Sequence, residues 1–283
     1  MADNNRKTAH WIAAARARET ARQDSLFQDP YAEKLAGEEG QFSLSRSEEK
    51  TGSDNQFIVV RTKYFDDFIK NASESIRQIV LLGVGLDTRA FRLDLPPDTV
   101  VFEIDKPELL KEKEEKLDKI HQDLKPAGAT RISVPSDLRE DWMSCLLLKD
   151  FDQSRKSVWV AEGLFFYLSK EIVTGLMRQI DKLSADGSKL IFDISGTGLL
   201  DLPSMSAYLT SLKDKRLPLP YCTDYPEEIC EAAGWHDISV DYAGSATASY
   251  GRLKTFVQDM TKGKRHKMNS WFVTGTKPAL PPE

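Results

Sequence analysis

The sequence predicts one doubly wound α/β domain built on a mostly parallel sheet. Three observations carry that expectation. Short continuous apolar runs, the pattern of strands buried on both faces, recur five times between residues 78 and 192. Helix-like segments alternate with them, as β–α–β units with right-handed crossovers require. The first run ends in the glycine turn Gly83-Val84-Gly85.

Taken in order, residues 1–35 read as helical, with an alanine-rich run at 11–17 that ends near Asp29-Pro30. Residues 38–52 are polar, rich in Glu and Ser, and are expected to form a mobile connection. At 57–69 the positions Phe57, Val60, Tyr64, Phe65, Phe68 and Ile69 follow helical spacing. Residues 1–75 would thus make an N-terminal helical cap. The core, 76–194, opens with the strand at 78–83. Strands follow at 99–104, 131–134, 158–161 and 189–192, with the clearest helices at 107–117 and 171–183. Residues 195–235 hold several prolines and are expected to form a lid or substrate wall, with a plain surface insertion as the alternative. In the C-terminal part, 236–283, the runs at 237–240 and 271–274 would add strands, as an antiparallel pair at one edge.

Bulk properties narrow the function. A chain of 283 residues fits one large α/β domain or two small ones. At this size about three quarters of the unfolded chain's surface becomes buried. A net charge of -5 gives no electrostatic reason to expect nucleic acid as a partner. The basic run at 262–267 reads as a solvated loop. Cys145, Cys222 and Cys230 form no C-x-x-C pair, and His10, His121, His236 and His266 never fall at helical ligand spacing, so no metal site is expected. The N-terminal Met1-Ala2-Asp3-Asn4-Asn5 lacks an apolar leader, and no run of about 18 apolar residues occurs. A reduced, cytoplasmic protein without membrane contact is the expectation.

Ligands of an open parallel sheet bind beyond the carboxyl ends of its strands. The first strand delivers Gly83-Val84-Gly85 there, and the next four deliver Asp105, Asp137, Glu162 and Asp193. A dinucleotide fingerprint would need a third glycine at position 88, which is Thr88, and no phosphate loop of the G-x-x-x-x-G-K-[ST] type occurs. An adenosine with a cationic sulfonium tail fits better. Asp105, about twenty residues after the glycines, suits both ribose hydroxyls. Asp137 suits the adenine amino group, and Glu162 and Asp87 suit an ammonium and the nearby positive sulfur. Each acid also has a plainer role open to it. Asp105-Lys106-Pro107-Glu108 matches a helix N-cap with an early proline and a capping-box glutamate, and Asp137 and Glu162 would serve equally as solvated loop acids.

The run Leu82-Gly83-Val84-Gly85-Leu86-Asp87-Thr88-Arg89-Ala90-Phe91-Arg92-Leu93 resembles the signature of the leucine carboxyl methyltransferase superfamily. Its nearest branch is that of bacterial and fungal S-adenosylmethionine-dependent O-methyltransferases, some tied to polyketide pathways. Further blocks resemble the family in family order: Ala15-Arg16-Ala17-Arg18-Glu19, Leu26-Phe27-Gln28-Asp29-Pro30-Tyr31-Ala32, Arg61-Thr62-Lys63-Tyr64-Phe65-Asp66, Phe102-Glu103-Ile104-Asp105-Lys106-Pro107, Ser136-Asp137-Leu138 and Ala161-Glu162-Gly163-Leu164-Phe165-Phe166-Tyr167-Leu168. The resemblance implies a Rossmann-like class I methyltransferase fold with S-adenosyl-L-methionine as cofactor. It further implies Arg61 on the cofactor carboxylate, Gly83 against its methionine portion, Asp105 on the ribose, Asp137 and Leu138 on the adenine, and Glu162 near the amine. Arg18 matches a basic cofactor contact in the first helix. Tyr167 matches a tyrosine facing the methyl-transfer site, with an aromatic core residue as the alternative.

The expected reaction is in-line methyl transfer to an oxygen of a small-molecule acceptor. A carboxylate needs no general base at pH 7, and no histidine is placed to serve one. Carboxyl methylation of a protein C-terminus, a non-catalytic cofactor-binding protein and a nicotinamide-dependent dehydrogenase are the competing classes. The residues that mark the protein-phosphatase methyltransferases are not found, and the last class lacks its third glycine. Oligomeric state is left open.

Overall fold

Seven strands form one sheet: β1 (Gln78–Leu82), β2 (Val100–Asp105), β3 (Thr130–Pro135), β4 (Ser157–Ala161), β5 (Lys189–Ser195), β6 (His236–Tyr242) and β7 (Ser270–Thr276). Their order is β3-β2-β1-β4-β5-β7-β6. The first five run parallel, and β7 is inserted antiparallel to both β5 and β6. This computed structural model describes residues 2–52, 54–120, 129–215, 217–261 and 263–279. His121, Lys262 and Met1 of the segments discussed above lie outside the described residues.

Helices cover both faces, which is why the inner strands read as unbroken apolar strings. All five residues of β1 are buried. Pleating sends alternate residues to opposite faces. Val80 and Leu82 join the core under α6 (Trp142–Leu147) and α7 (Lys170–Lys182), with Trp142, Trp159, Val173 and Met177. Ile79 and Leu81 join the core under α3 (Gln56–Ser73), with Val60, Phe65 and Ile69. The doubly wound, mostly parallel sheet expected from the sequence is the observed fold, including the antiparallel strands at one edge.

The expectation for residues 38–52 is overturned. They form the greater part of α2 (Ala32–Thr51), which packs along α1 (Ala2–Thr20). The helix is interrupted at Gly37 (φ 60°, ψ −172°) and ends on left-handed Gly52, whose N–H bonds back to Glu48 O. Beyond that kink, among the residues whose burial is described, only Gly40 and Leu44 are buried, so the sequence there records the solvated face and little else. Gly40 marks the closest approach: a Cβ there would lie 2.5 Å from His10 O.

Residues 195–235 fold into short 3-10 turns, α8 (Ser206–Asp214) and α9 (Glu227–Glu231). The basic run is not wholly solvated, because Arg265 pairs with Glu227 at 2.6 Å and lies over the Trp271 ring. Among the described residues, no helix is long and apolar enough to cross a membrane, and no group of His, Cys, Asp and Glu is arranged to hold a metal ion.

Candidate active site

A cavity of about 390 Å³ opens at the carboxyl ends of β1 to β4, where the strand order reverses: β2 and β3 are laid down on one side of β1, β4 and β5 on the other. That is the topological switch point, at which the two neighbouring loops diverge and leave a crevice. Its volume suits a small-molecule site.

The glycine turn is fastened to the end of β2. Gly83 N–H and Val84 N–H donate to Ile104 O, at 2.9 and 3.2 Å, and Gly85 N–H donates to Asp105 Oδ2 at 2.7 Å. Gly83 (φ 64°) and Gly85 (φ 54°) occupy backbone that side chains resist. At Gly83 a Cβ would also lie 2.8 Å from Leu164 Cδ1. Asp105 is not a helix cap. It is the last residue of β2, its other oxygen accepts from Lys106 N–H at 2.7 Å, and α5 (Pro107–Ile120) starts two residues later. Burial pushes its carboxyl up, against the pull of the two N–H donors and Lys113.

Asp137, in the loop after β3, accepts from the N–H and guanidinium of its neighbour Arg139, which hold it at about 2. Leu138 lines the cavity beside it.

The β4 end is densely ionic. Glu162 is shared by Arg61 Nε at 3.0 Å and Arg89 at 2.7 Å. Arg61 also donates to Asp193 Oδ2 at 3.0 Å, and Asp193 Oδ1 accepts from Gly163 N–H at 2.5 Å. Arg89 continues to Asp66 Oδ1 at 2.6 Å and to Asp87. Arg92 ties Asp66 (2.6 Å) towards Asp29, which in turn holds Arg16 at 2.8 Å. The pairs therefore form one continuous chain from the first helix to the strand ends.

Burial opposes ionisation of Asp87, but Arg89 and the cations behind it win and hold it at about 2. A carboxyl depressed from the ordinary value of about 3.9 stabilises the fold above that pH and loses its contribution as the pH falls to about 2. Comparing urea midpoints of the parent and Asp87→Asn should show a gap that narrows between about pH 4 and pH 2. A gap that stays constant over this range would contradict the assignment.

Arg61, Gly83, Gly85, Asp87, Asp105, Asp137, Leu138, Glu162 and Tyr167 all line the cavity. Two expectations fail. Arg18 points away, pairing with Glu48 at 2.6 Å and Asp54 O at 2.5 Å, while Arg16 reaches the cavity instead. Two residues advance an α-helix by about 200°, so only one of them can face inward. Asp193 does not end its strand: β7 pairs with β5 through Ser195, which leaves Asp193 inside the strand and behind Arg61. Arg89 and Tyr208 of the cavity wall were not singled out from the sequence, although Arg89 stands in the quoted glycine motif.

Tyr167 sits in a 3-10 turn (Phe165–Tyr167) against Phe166. Burial raises its phenol above 10, despite a hydrogen bond with Thr8 and the nearby Arg61. It remains a neutral hydroxyl near pH 7. No histidine is among the described lining residues.

Comparison with known proteins bears on this cavity. The family model described as leucine carboxyl methyltransferase matches residues 9–181. A Frankia alni protein named "putative S-adenosyl-L-methionine-dependent methyltransferase" is 39% identical over 203 residues, 69% of this chain and 70% of its own. A Streptomyces coelicolor protein of the same name is 37% identical over 202 residues, 69% and 70% of the two chains. A crystal structure of a "putative methyltransferase" from Thermobifida fusca superposes with a TM-score of 0.58 at 22% identity, over 88% of this chain and 93% of the other, and so shares the fold.

Proposed function

The chain belongs to the leucine carboxyl methyltransferase family, and from that premise we propose that it transfers a methyl group to a carboxylate oxygen of a small-molecule acceptor. It is an S-adenosylmethionine-dependent methyltransferase. When bound, the cofactor supplies a methyl group made electrophilic by the positively charged sulfur.

The cavity's residues fit such a molecule. The close pass at Gly83 leaves no room for a side chain, acids stand at separate strand ends, and Arg61 of α3 faces them. Asp105 would hold the ribose hydroxyls, and Asp137 with Leu138 the adenine. Arg61 would take the carboxylate of the methionine end, and Glu162 with Asp87 its ammonium. Gly83 and Gly85 keep the backbone low enough for close approach. Arg18 has no part in this assignment, because its guanidinium is held at Glu48.

The observation that favours a carboxylate acceptor is that every acid among the described lining residues is tied to an arginine or assigned to the cofactor, which leaves none free to serve as a general base. Tyr167 is held protonated and none of the described lining residues is a histidine. A carboxylate is already ionised at pH 7, so its oxygen attacks without losing a proton. The protein's work is then alignment and exclusion of water, effects that can supply about 7–11 kcal/mol.

Calorimetry with S-adenosylhomocysteine tests the cofactor site. The parent should bind, and Asp105→Ala should bind about ten- to a hundredfold more weakly, as loss of a hydrogen bond to a charged group predicts. Equal binding by the two proteins would sink the assignment. Labelled methyl transferred to a carboxylate is an ester that mild alkali releases as methanol. Label that survives alkali would mean a hydroxyl or another acceptor atom.

A further inference from the structure

We propose that the half of the cavity walled by Phe166, Tyr208, Leu212, Pro218 and Pro220 is an acceptor subsite for a flat, ring-bearing apolar acid. The proposal rests on the cofactor reading above and identifies the acceptor class for the same site.

The cavity divides by chemistry. Its charged groups stand at the strand ends or on the α1 and α3 flank, and Arg16, Arg61, Arg89 and Arg139 are each engaged by an acid of the protein. A second set of lining residues comes from the 3-10 turn after β4 and from α8 with the 217–220 segment, and none of those described is Lys, Arg, His, Asp or Glu. The cofactor's charged amino-acid end and sugar need the first half, which leaves the second for the acceptor.

That second half is shaped for planar apolar groups. The Phe166 and Tyr208 rings lie nearly parallel, 26° apart, with centroids 6.2 Å from each other. Two prolines and Leu212 extend the wall. Ring faces favour offset contact with another ring beyond the area they bury. A body bearing a second charge would be desolvated there with no partner among the described lining residues, which the wall penalises. An acceptor therefore needs one acidic oxygen at the seam near Tyr167 and an uncharged, flat remainder. Burying such a remainder is favoured in proportion to its apolar area, so a small acid such as acetate would gain little.

The test uses protein saturated with S-adenosylhomocysteine and two probes, 2-naphthoic acid and acetic acid, followed by calorimetry. Naphthoate should bind at least about tenfold more tightly than acetate. Tyr208→Ser should weaken naphthoate about five- to tenfold and leave S-adenosylhomocysteine affinity unchanged, since Tyr208 belongs to α8 and carries none of the cofactor contacts assigned above. Cofactor binding with naphthoate no better than acetate, or with naphthoate indifferent to Tyr208→Ser, overturns the acceptor proposal alone. Failure of S-adenosylhomocysteine to bind the parent overturns the cofactor reading, and the acceptor proposal with it.

Discussion

Arg89→Leu is expected to destabilise the fold by about 3–5 kcal/mol, the usual cost of stripping the partner from buried charges. The side chain is 3% exposed and serves Asp66, Asp87 and Glu162 together, with Thr62 O as a fourth acceptor at 3.2 Å. Burial works against its charge, yet the three acids hold it well above its ordinary value. Without it, Asp87 loses its guanidinium partner, and Asp66 and Glu162 keep only Arg92 and Arg61. Lysine should restore only part of the loss, because one ammonium cannot reproduce a planar fork of donors. Urea unfolding monitored at constant pH measures the effect. A loss below about 1 kcal/mol, the size of an exposed pair, would show that the network does not carry this weight.

Arg61→Leu is expected to cost S-adenosylhomocysteine affinity by a factor of about 100 or more, since the ligand's carboxylate would lose a buried guanidinium. Arg61 is buried on α3, and Asp193 from behind and Glu162 from the side fix its aim. Left-handed Gly163 makes space for it, because a Cβ there would sit 3.0 Å from its Nη1. The specific readout is a second ligand, 5′-methylthioadenosine, which keeps the adenosine and sulfur but lacks the amino-acid end. Its affinity should change less than about threefold, as no contact with Arg61 is lost. Equal losses for both ligands would mean that the substitution merely disorders the cavity.

Much of this architecture can be read locally because its causes are local. A strand buried on both faces must be apolar at most positions, so β1 and β4, each polar only at its first residue, stand out as strings. Features set by distant pairing do not stand out. The run at 189–192 looks finished before Asp193, yet Phe272, Trp271 and Ser270 continue the ladder to Ser195. That continuation turns a supposed strand-end ligand into the support of Arg61. The second helix is hidden for another reason: beyond Gly37 its described buried positions are Gly40 and Leu44, too few to print an apolar period. Arg16 and Arg18 differ by two residues and face opposite ways, and only the packed position of the first helix decides between them. The charge network is the hardest to foresee. The glycine motif contains Arg89, but nothing in it tells that Glu162, Asp66 and Asp87 converge on that one side chain.

The insertion of β7 has a consequence for the order in which the protein matures on the ribosome. Phe272 of β7 packs against Phe57, Tyr64 and Phe65, the aromatic face of the helix that carries Arg61. Residues 270–276 are synthesised after every other strand, and until they emerge β5 has a bare edge and β6 has no neighbour to pair with. A nascent chain would therefore expose an unpaired hydrophobic strand, the kind of species chaperones retain. The Arg61 helix would meanwhile lack its aromatic anchor. Competence to bind the cofactor would thus wait for β7, long after the glycine turn has been made.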